Sequence, residues 1–352
     1  ERGSKMKAVI FSYTRRGAKL SLRIRKCLQA LDYETEVYAS EKYVEVDSSL
    51  KKSISCKEEA KQAFQDDQVI VYIGSCGIAV RAIAPYVKNK TVDPAVISID
   101  ELGRFVIPLL SGHIGGANEI ARKIAQKINA QAVITTATDI NGLFAVDEWA
   151  IKNNVHIGSM YAAKEVAAAL VDGESVGLIS KYEVDGEIPT GIVRNKKARV
   201  GIAIGDNDEL KPFPVTLNLM PKVYYLGIGC RRNTTMENIE NLVLQSLDEL
   251  KINIKAIAGI ASVDLKKDEE GLLAFAEKFS LPISFYTAAE LESQQGEFTT
   301  SAFVQSIVGV SNVCERSAAA ASEGGSMVLP KTSQNGVTLA IAKKDWLINF
   351  SK

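Results

Sequence analysis

Short apolar runs rich in β-branched residues alternate with stretches of helical period along almost the whole chain, and this alternation limits the fold more than any other feature. Parallel strands need crossover connections, and helices supply them, so the pattern predicts mostly parallel sheets covered by helices. Residues 7–13 (KAVIFSY) read as a strand and 17–31 as an amphipathic helix. Residues 68–73 (QVIVYI) form a buried strand that enters a small-residue turn and a helix over 78–86. Residues 95–100 (AVISID) and 105–109 (FVIPL) read as a hairpin reversing at 101–104. Residues 111–118 (SGHIGGAN) open a helix to about 129, and 132–136 close the unit as a strand. The middle, from 139 to 221, is less regular. It has short helices at 147–153 and 162–170, short strands at 176–180 and 200–204, and a proline-bearing run, 211–221, that reads as a linker.

A second clear unit starts at 222–228 (KVYYLGI). Its helix, 236–250, carries an apolar stripe at Ile239, Leu242, Val243, Leu247 and Leu250. Strands at 257–262 and 283–286, helices near 271–279 and 313–321, and a hairpin of 328–330 with 337–342 complete it. A chain of 352 residues exceeds what one core usually holds. The expectation is an α/β, multi-domain protein of Rossmann-like three-layer units with mostly parallel sheets, divided as 6–138, 139–221 and 222–352.

Lys plus Arg and Asp plus Glu number 42 each, which argues against nucleic acid or an anionic membrane as the main partner. No run approaches the roughly 20 apolar residues of a membrane span. The start lacks the shape of a signal peptide; Glu1 to Lys5 read as a cloning remnant and Met6 as the native start. The five cysteines are dispersed, with no C-x-x-C pair, which fits reduced thiols and a cytoplasmic location. There are two histidines and no clustered carboxylate pattern, so no protein-bound metal is expected.

Three strand–turn–helix segments carry polar groups suited to chemistry. In the first, Ser111, Gly112, Gly115 and Gly116 permit close backbone approach to a ligand, and the helix that follows presents unpaired N–H groups. His113 lies inside this loop, where an imidazole can move a proton near neutral pH. Asn118 and Glu119 sit on the first helical turn. Spacing alone leaves open a plain glycine-rich helix cap. In the second, Gly74, Ser75 and Gly77 form a small-residue turn, and Arg81 on its helix could hold a carboxylate. An ordinary strand-to-helix turn with a solvated Arg81 is the simpler reading of this segment by itself. In the third, Gly229, Arg231 and Arg232 follow a strand (GIGCRRNTT), with Thr234 as the expected helix cap. It lacks the full pattern of a dinucleotide or phosphate loop. Arg104, Glu315, and the acids Asp100, Asp139 and Asp147 near strand ends complete the set; for Asp147 a helix N-cap is the simplest role.

The wording and order of the segments add a substrate. GSCGIAVRAIAPYVKNKTVDPAVISID, FVIPLLSGHIGGAN and TTATDINGLFAVDEWA, followed by YLGIGCRRNTT, ASVDLKKDEEGL and VCERSAAAAS, resemble the cobalt-precorrin-5A hydrolase family from Met6 onward. The last three resemble a C-terminal domain that also occurs separately as CobE. The resemblance implies a cobalt-bound tetrapyrrole with a δ-lactone, opened by water, that then loses a two-carbon unit as acetaldehyde to give cobalt-precorrin-5B. It implies no cofactor, because cobalt arrives inside the substrate. The expected partners are the cobalt-precorrin, neighbouring pathway enzymes and a second copy of the chain.

On this reading His113, with Glu119, Asp100 and Asp147 as further proton-transfer candidates, serves lactone opening. The amides of Gly115 and Gly116 stabilise the oxyanion, and Arg81, Arg104, Arg231 and Arg232 clamp the substrate carboxylates. Residues 74–77, 111–118 and 227–232 are then expected to share one opening. A corrinoid carrier without catalysis, and a nucleotide-dependent enzyme using 227–235, are the alternatives.

Overall fold

The computed structural model describes residues 6–66, 69–89, 92–194, 197–295, 298 and 312–351. The expected remnant 1–5, and Gln68 at the head of the second expected strand, lie outside the described residues. The chain is α/β throughout and divides into two compact units, residues 1–148 and 149–352.

The first unit holds a seven-stranded sheet. Its strands are β1 (Lys7–Ser12), β2 (Glu34–Ser40), β3 (Lys51–Ser53), β4 (Val69–Ile73), β5 (Ala95–Ile99), β6 (Phe105–Leu110) and β7 (Gln131–Ala132), in the order β3-β2-β1-β4-β5-β6-β7. Every residue of β4 and β5 is buried, as strands covered on both faces must be. Helices Arg15–Gln29 and Ala117–Ile128 pack on one face through Leu20, Ile24, Ile120 and Ile124. Helices Cys56–Asp66 and Cys76–Ile83 cover the other through Ala60, Ala63, Ala79 and Ile83. This is the expected three-layer unit.

The sheet reverses direction at β6, and β7 runs parallel to β6. β6 pairs antiparallel with β5, with Ile99 opposite Val106 and Val96 opposite Leu110. The connections therefore leave the sheet at different edges. Gly74 follows β4 and donates its N–H to the Ile99 carbonyl at 2.8 Å, where β5 ends. Ser111 follows β6 and donates its hydroxyl to the Asp93 carbonyl at 2.8 Å, where β5 begins. A five-residue strand, about 15 Å, separates the two edges.

The second unit holds two five-stranded sheets. The first comprises β8 (Val155–Ile157), β9 (Val176–Ser180), β10 (Ile192–Arg194), β11 (Val200–Ile204) and β12 (Val215–Pro221), in the order β10-β9-β11-β12-β8. The stretch read as a linker is thus corrected: β12 lies between β11 and β8 with Leu217, Leu219 and Met220 buried. Its prolines bracket the strand instead of breaking it. Pro214 precedes β12, and Pro221 ends it opposite Val155, positions where a missing N–H costs little.

The other sheet comprises β13 (Tyr224–Cys230), β14 (Ile257–Val263), β15 (Ile283–Tyr286), β16 (Ser326–Gln334) and β17 (Val337–Lys343), in the order β15-β14-β13-β17-β16. β16 and β17 form the expected hairpin. Within this unit the sheets are tied together by polar and aromatic contacts. The Lys343 ammonium of β17 lies 3.9 Å from Asp206, which follows β11, and the Tyr182 ring meets Trp346 edge-on at 5.1 Å. Val184 bridges to Ile348, and Trp149 Nε1 donates to the Asn349 carbonyl at 2.8 Å.

Candidate functional site

The glycine-rich loop after β6 is folded back on itself. Ser111 (φ 56°) and Gly116 (φ 76°) are both left-handed. The Gly116, Ala117 and Asn118 N–H groups donate to the His113, Ser111 and Gly112 carbonyls at 2.9, 3.1 and 3.0 Å. Gly115 is required by space, since a Cβ there would lie 2.5 Å from the Ser111 Cβ. The folded loop turns His113 toward two short helices, Ala137–Ile140 and Val146–Lys152.

His113 stands between two carboxylates. Its Nε2 is 2.8 Å from Asp139 Oδ2 and 3.2 Å from Thr138 Oγ1, and its Nδ1 is 3.5 Å from Asp147 Oδ1. Asp139 also accepts from Asn118 Nδ2 at 2.9 Å and from Arg122. Asn118 Nδ2 donates at 3.0 Å to Thr136 Oγ1 as well. Asn118 and Arg122 lie one turn apart on helix Ala117–Ile128, so one helical face presents both. The side chains of His113, Asp139 and Asp147 are only 14%, 10% and 12% exposed.

This enclosure fixes the charge state. Asp147 first, and Asp139 with it, outweigh the effect of burial and raise the His113 pKa to about 9. Burial works against ionised Asp139, but the bonds from Arg122 and His113 prevail and hold its pKa below the usual carboxylate value. At neutral pH His113 is therefore an imidazolium with both N–H groups directed at carboxylates. It can give a proton, and it can accept one only after doing so.

The other expected residues fall into three places. Glu119 is on the same helix, 2.6 Å from Lys123, and Asp147 lies in the first turn of its helix facing His113. Gly74, Ser75, Gly77, Arg81, Asp100 and Arg104 belong to the opposite edge of the sheet, so the expected common opening for 74–77 and 111–118 is corrected. The reversal of β6 causes the separation. The Asp100 carboxylate caps its own turn, accepting the N–H groups of Leu102, Arg104 and Phe105 at 2.9, 2.8 and 2.7 Å. The Gly116 N–H expected for an oxyanion is committed to the His113 carbonyl. Among the described residues, the Gly112 to Gly115 amides have no acceptor.

In the second unit, Gly229 pairs with Thr338 in the sheet, and Arg231 and Arg232 are exposed on the turn after β13. Helix Met236–Glu249 is capped by Thr235; the Thr234 hydroxyl instead donates to the Arg231 carbonyl at 2.7 Å. Glu315 is corrected as a ligand contact. It is 2% exposed, and its oxygens accept from the Lys331 N–H and Asn312 Nδ2 at 2.7 Å each. Among the described residues, no group of three or more His, Cys, Asp or Glu side chains could hold a metal ion.

Sequence reasoning named Asp139 without placing it beside His113, and it passed over Arg122, Thr136 and Thr138. The spacing of Asn118 and Arg122 on one helical face was the available signal.

Comparison with known proteins covers nearly the whole chain. Residues 58–139 match the family described as Cobalamin synthesis G N-terminal, 144–221 the Cobalamin biosynthesis central region, and 224–342 the Cobalamin synthesis G C-terminus. Cobalt-precorrin-5A hydrolase of Salmonella typhimurium is 34% identical over 94% of this chain and 96% of its own length. The protein of that name from Priestia megaterium is 29% identical over 95% of this chain and 94% of its own. A solved cobalamin biosynthesis protein G homolog from Sulfolobus solfataricus aligns with 96% of this chain and 97% of its own, at 23% identity and a TM-score of 0.42. The chain belongs to the cobalt-precorrin-5A hydrolase family.

Proposed function

We propose that the protein adds water to the δ-lactone of cobalt-precorrin-5A and releases the two-carbon unit as acetaldehyde, leaving cobalt-precorrin-5B. The observation that carries this reading is the full-length similarity to proteins named for that hydrolysis. The enclosed His113 cluster supplies chemistry suited to it. Water bonds to the lactone carbonyl carbon, the acyl C–O bond breaks, and the departing ring oxygen needs a proton. The His113 imidazolium gives that proton. The Asp147 carboxylate takes one from the attacking water and returns it to His113, so the site is reset. The amides of Gly112 to Gly115 are available to the developing oxyanion. The exposed carbinol then loses its O–H proton, its C–O bond becomes a carbonyl, and the bond to the macrocycle breaks with its electrons left on the ring.

No cofactor of the protein's own is needed in this scheme, since cobalt enters as part of the substrate. Arg231 and Arg232, exposed on their turn, suit acetate and propionate groups. A cytoplasmic location agrees with the free state of the four cysteines whose side chains are described. Hand-over to neighbouring pathway enzymes and pairing with a second copy belong to the same reading.

A carrier function is the competing reading, in which the His113 ion pairs only pin the loop. Anaerobic incubation with cobalt-precorrin-5A separates the two. Hydrolysis yields acetaldehyde and a corrinoid of correspondingly lower mass; a carrier changes the corrinoid spectrum and yields neither.

A further inference from the structure

The geometry points to Asp139 as the positioning residue that grips His113 at Nε2 and leaves Nδ1 to address the substrate. This assignment rests on the proposed hydrolysis for the identity of the reacting group, but its geometric content does not. The two sides of the ring are held unequally. Nε2 lies 2.8 Å from Asp139 Oδ2, a full hydrogen bond, whereas Nδ1 is 3.5 Å from Asp147 Oδ1, beyond the ordinary range. A substrate oxygen that enters on the Asp147 side competes with the longer of the two contacts.

Asp139 is itself immobilised. Asn118 Nδ2 reaches Oδ2 at 2.9 Å and Arg122 reaches Oδ1, so the carboxylate accepts from three side chains. Both anchors come from helix Ala117–Ile128, whose Ile120, Ala121 and Ile124 are buried in the core of the unit. The chain of support runs from core to helix, to Asp139, to the ring. An orienting carboxylate held by its own donors is how an imidazole is fixed in direction and in protonation state. The charged groups acting on His113 are Asp139 and Asp147, with Arg122 acting through Asp139. The Thr138 hydroxyl shares the Nε2 side.

The test uses the full chain and two readouts. There are two histidines, so ring ¹⁵N signals are assigned with one His113→Gln control. The parent should show His113 titrating near pH 9 and His156 below 6.5, where burial pushes it. In Asp139→Asn the His113 midpoint should move toward 6.5 while His156 stays in place as an internal control. With cobalt-precorrin-5A, the same variant should lose roughly 10–100-fold in kcat with little change in corrinoid affinity. The alkaline limb of its rate profile should move down together with the His113 midpoint. Arg122→Gln, at a side chain 47% exposed, should fold and lose roughly 10-fold in kcat.

An Asp139→Asn variant with the parental His113 midpoint, or with parental kcat, overturns the assignment. If that variant does not fold, a parental kcat in Arg122→Gln overturns it. A parent that releases no acetaldehyde defeats the proposed hydrolysis instead, and the ring titration, which needs no substrate, still decides the positioning.

Discussion

His113 illustrates how a residue's role depends on neighbours far along the chain. Its folded-state pKa of about 9 lies above the ordinary 6.5, so the charged ring stabilises the folded state. That contribution is fully present below pH 6.5 and is lost as pH rises through about 9. His113→Gln should therefore flatten the fall in melting temperature between pH 7 and pH 10 relative to the parent. Equal slopes for the two proteins would mean that the ring is not ion-paired in solution. The glycines around His113 made it legible as a candidate from sequence. Its partner Asp139 was not, because a separation of 26 residues leaves no periodic trace. Glu315 shows the opposite failure: it read as a candidate ligand contact, yet it is buried against Asn312 and the Lys331 N–H. Glu315→Ala should destabilise the fold by about 1–3 kcal/mol through the abandoned donors, measured by urea unfolding, with turnover per folded molecule retained.

At the scale of elements, the apolar runs fixed most strands, since buried parallel strands read as continuous hydrophobic stretches. The hairpin of β5 and β6 was also legible. Its consequence depends on direction: a strand that runs back delivers the His113 loop to the opposite edge from Gly74. This separation makes a testable contrast. Arg81→Ala, on the far edge, should leave the rate of acetaldehyde release within about threefold of the parent, well inside the roughly 10²-fold minimum expected for losing acid–base catalysis. A loss as large as that of His113→Ala would contradict the placement of the chemistry at the His113 edge. β12 escaped the sequence reading because Pro214 and Pro221 look like breaks, although they bracket a strand whose Leu217 and Leu219 are buried. Packing between elements is equally hidden. Gly227 lies so close to helix Val313–Ala321 that a Cβ would sit 1.8 Å from the Cys314 carbonyl oxygen. No side chain fits there without moving the helix.

At the scale of the whole molecule, the α/β alternation and the three sheets were readable, but the grouping of two sheets in one compact unit was not. That grouping depends on a few side chains, among them Trp149, which is 3% exposed and packs its ring 5.3 Å from Phe350. Trp149→Ala should cost the second unit about 3–5 kcal/mol, seen as a lowered urea midpoint. An unchanged midpoint would show that the C-terminal residues do not brace this unit. The central claim concerns catalysis by the His113 cluster, and acetaldehyde release from cobalt-precorrin-5A tests it most directly. Under anaerobic conditions the parent should release acetaldehyde, and His113→Ala and His113→Asn should both be slower by roughly 10²–10⁴-fold while still perturbing the corrinoid spectrum on binding. Near-parental rates in both variants would contradict the account.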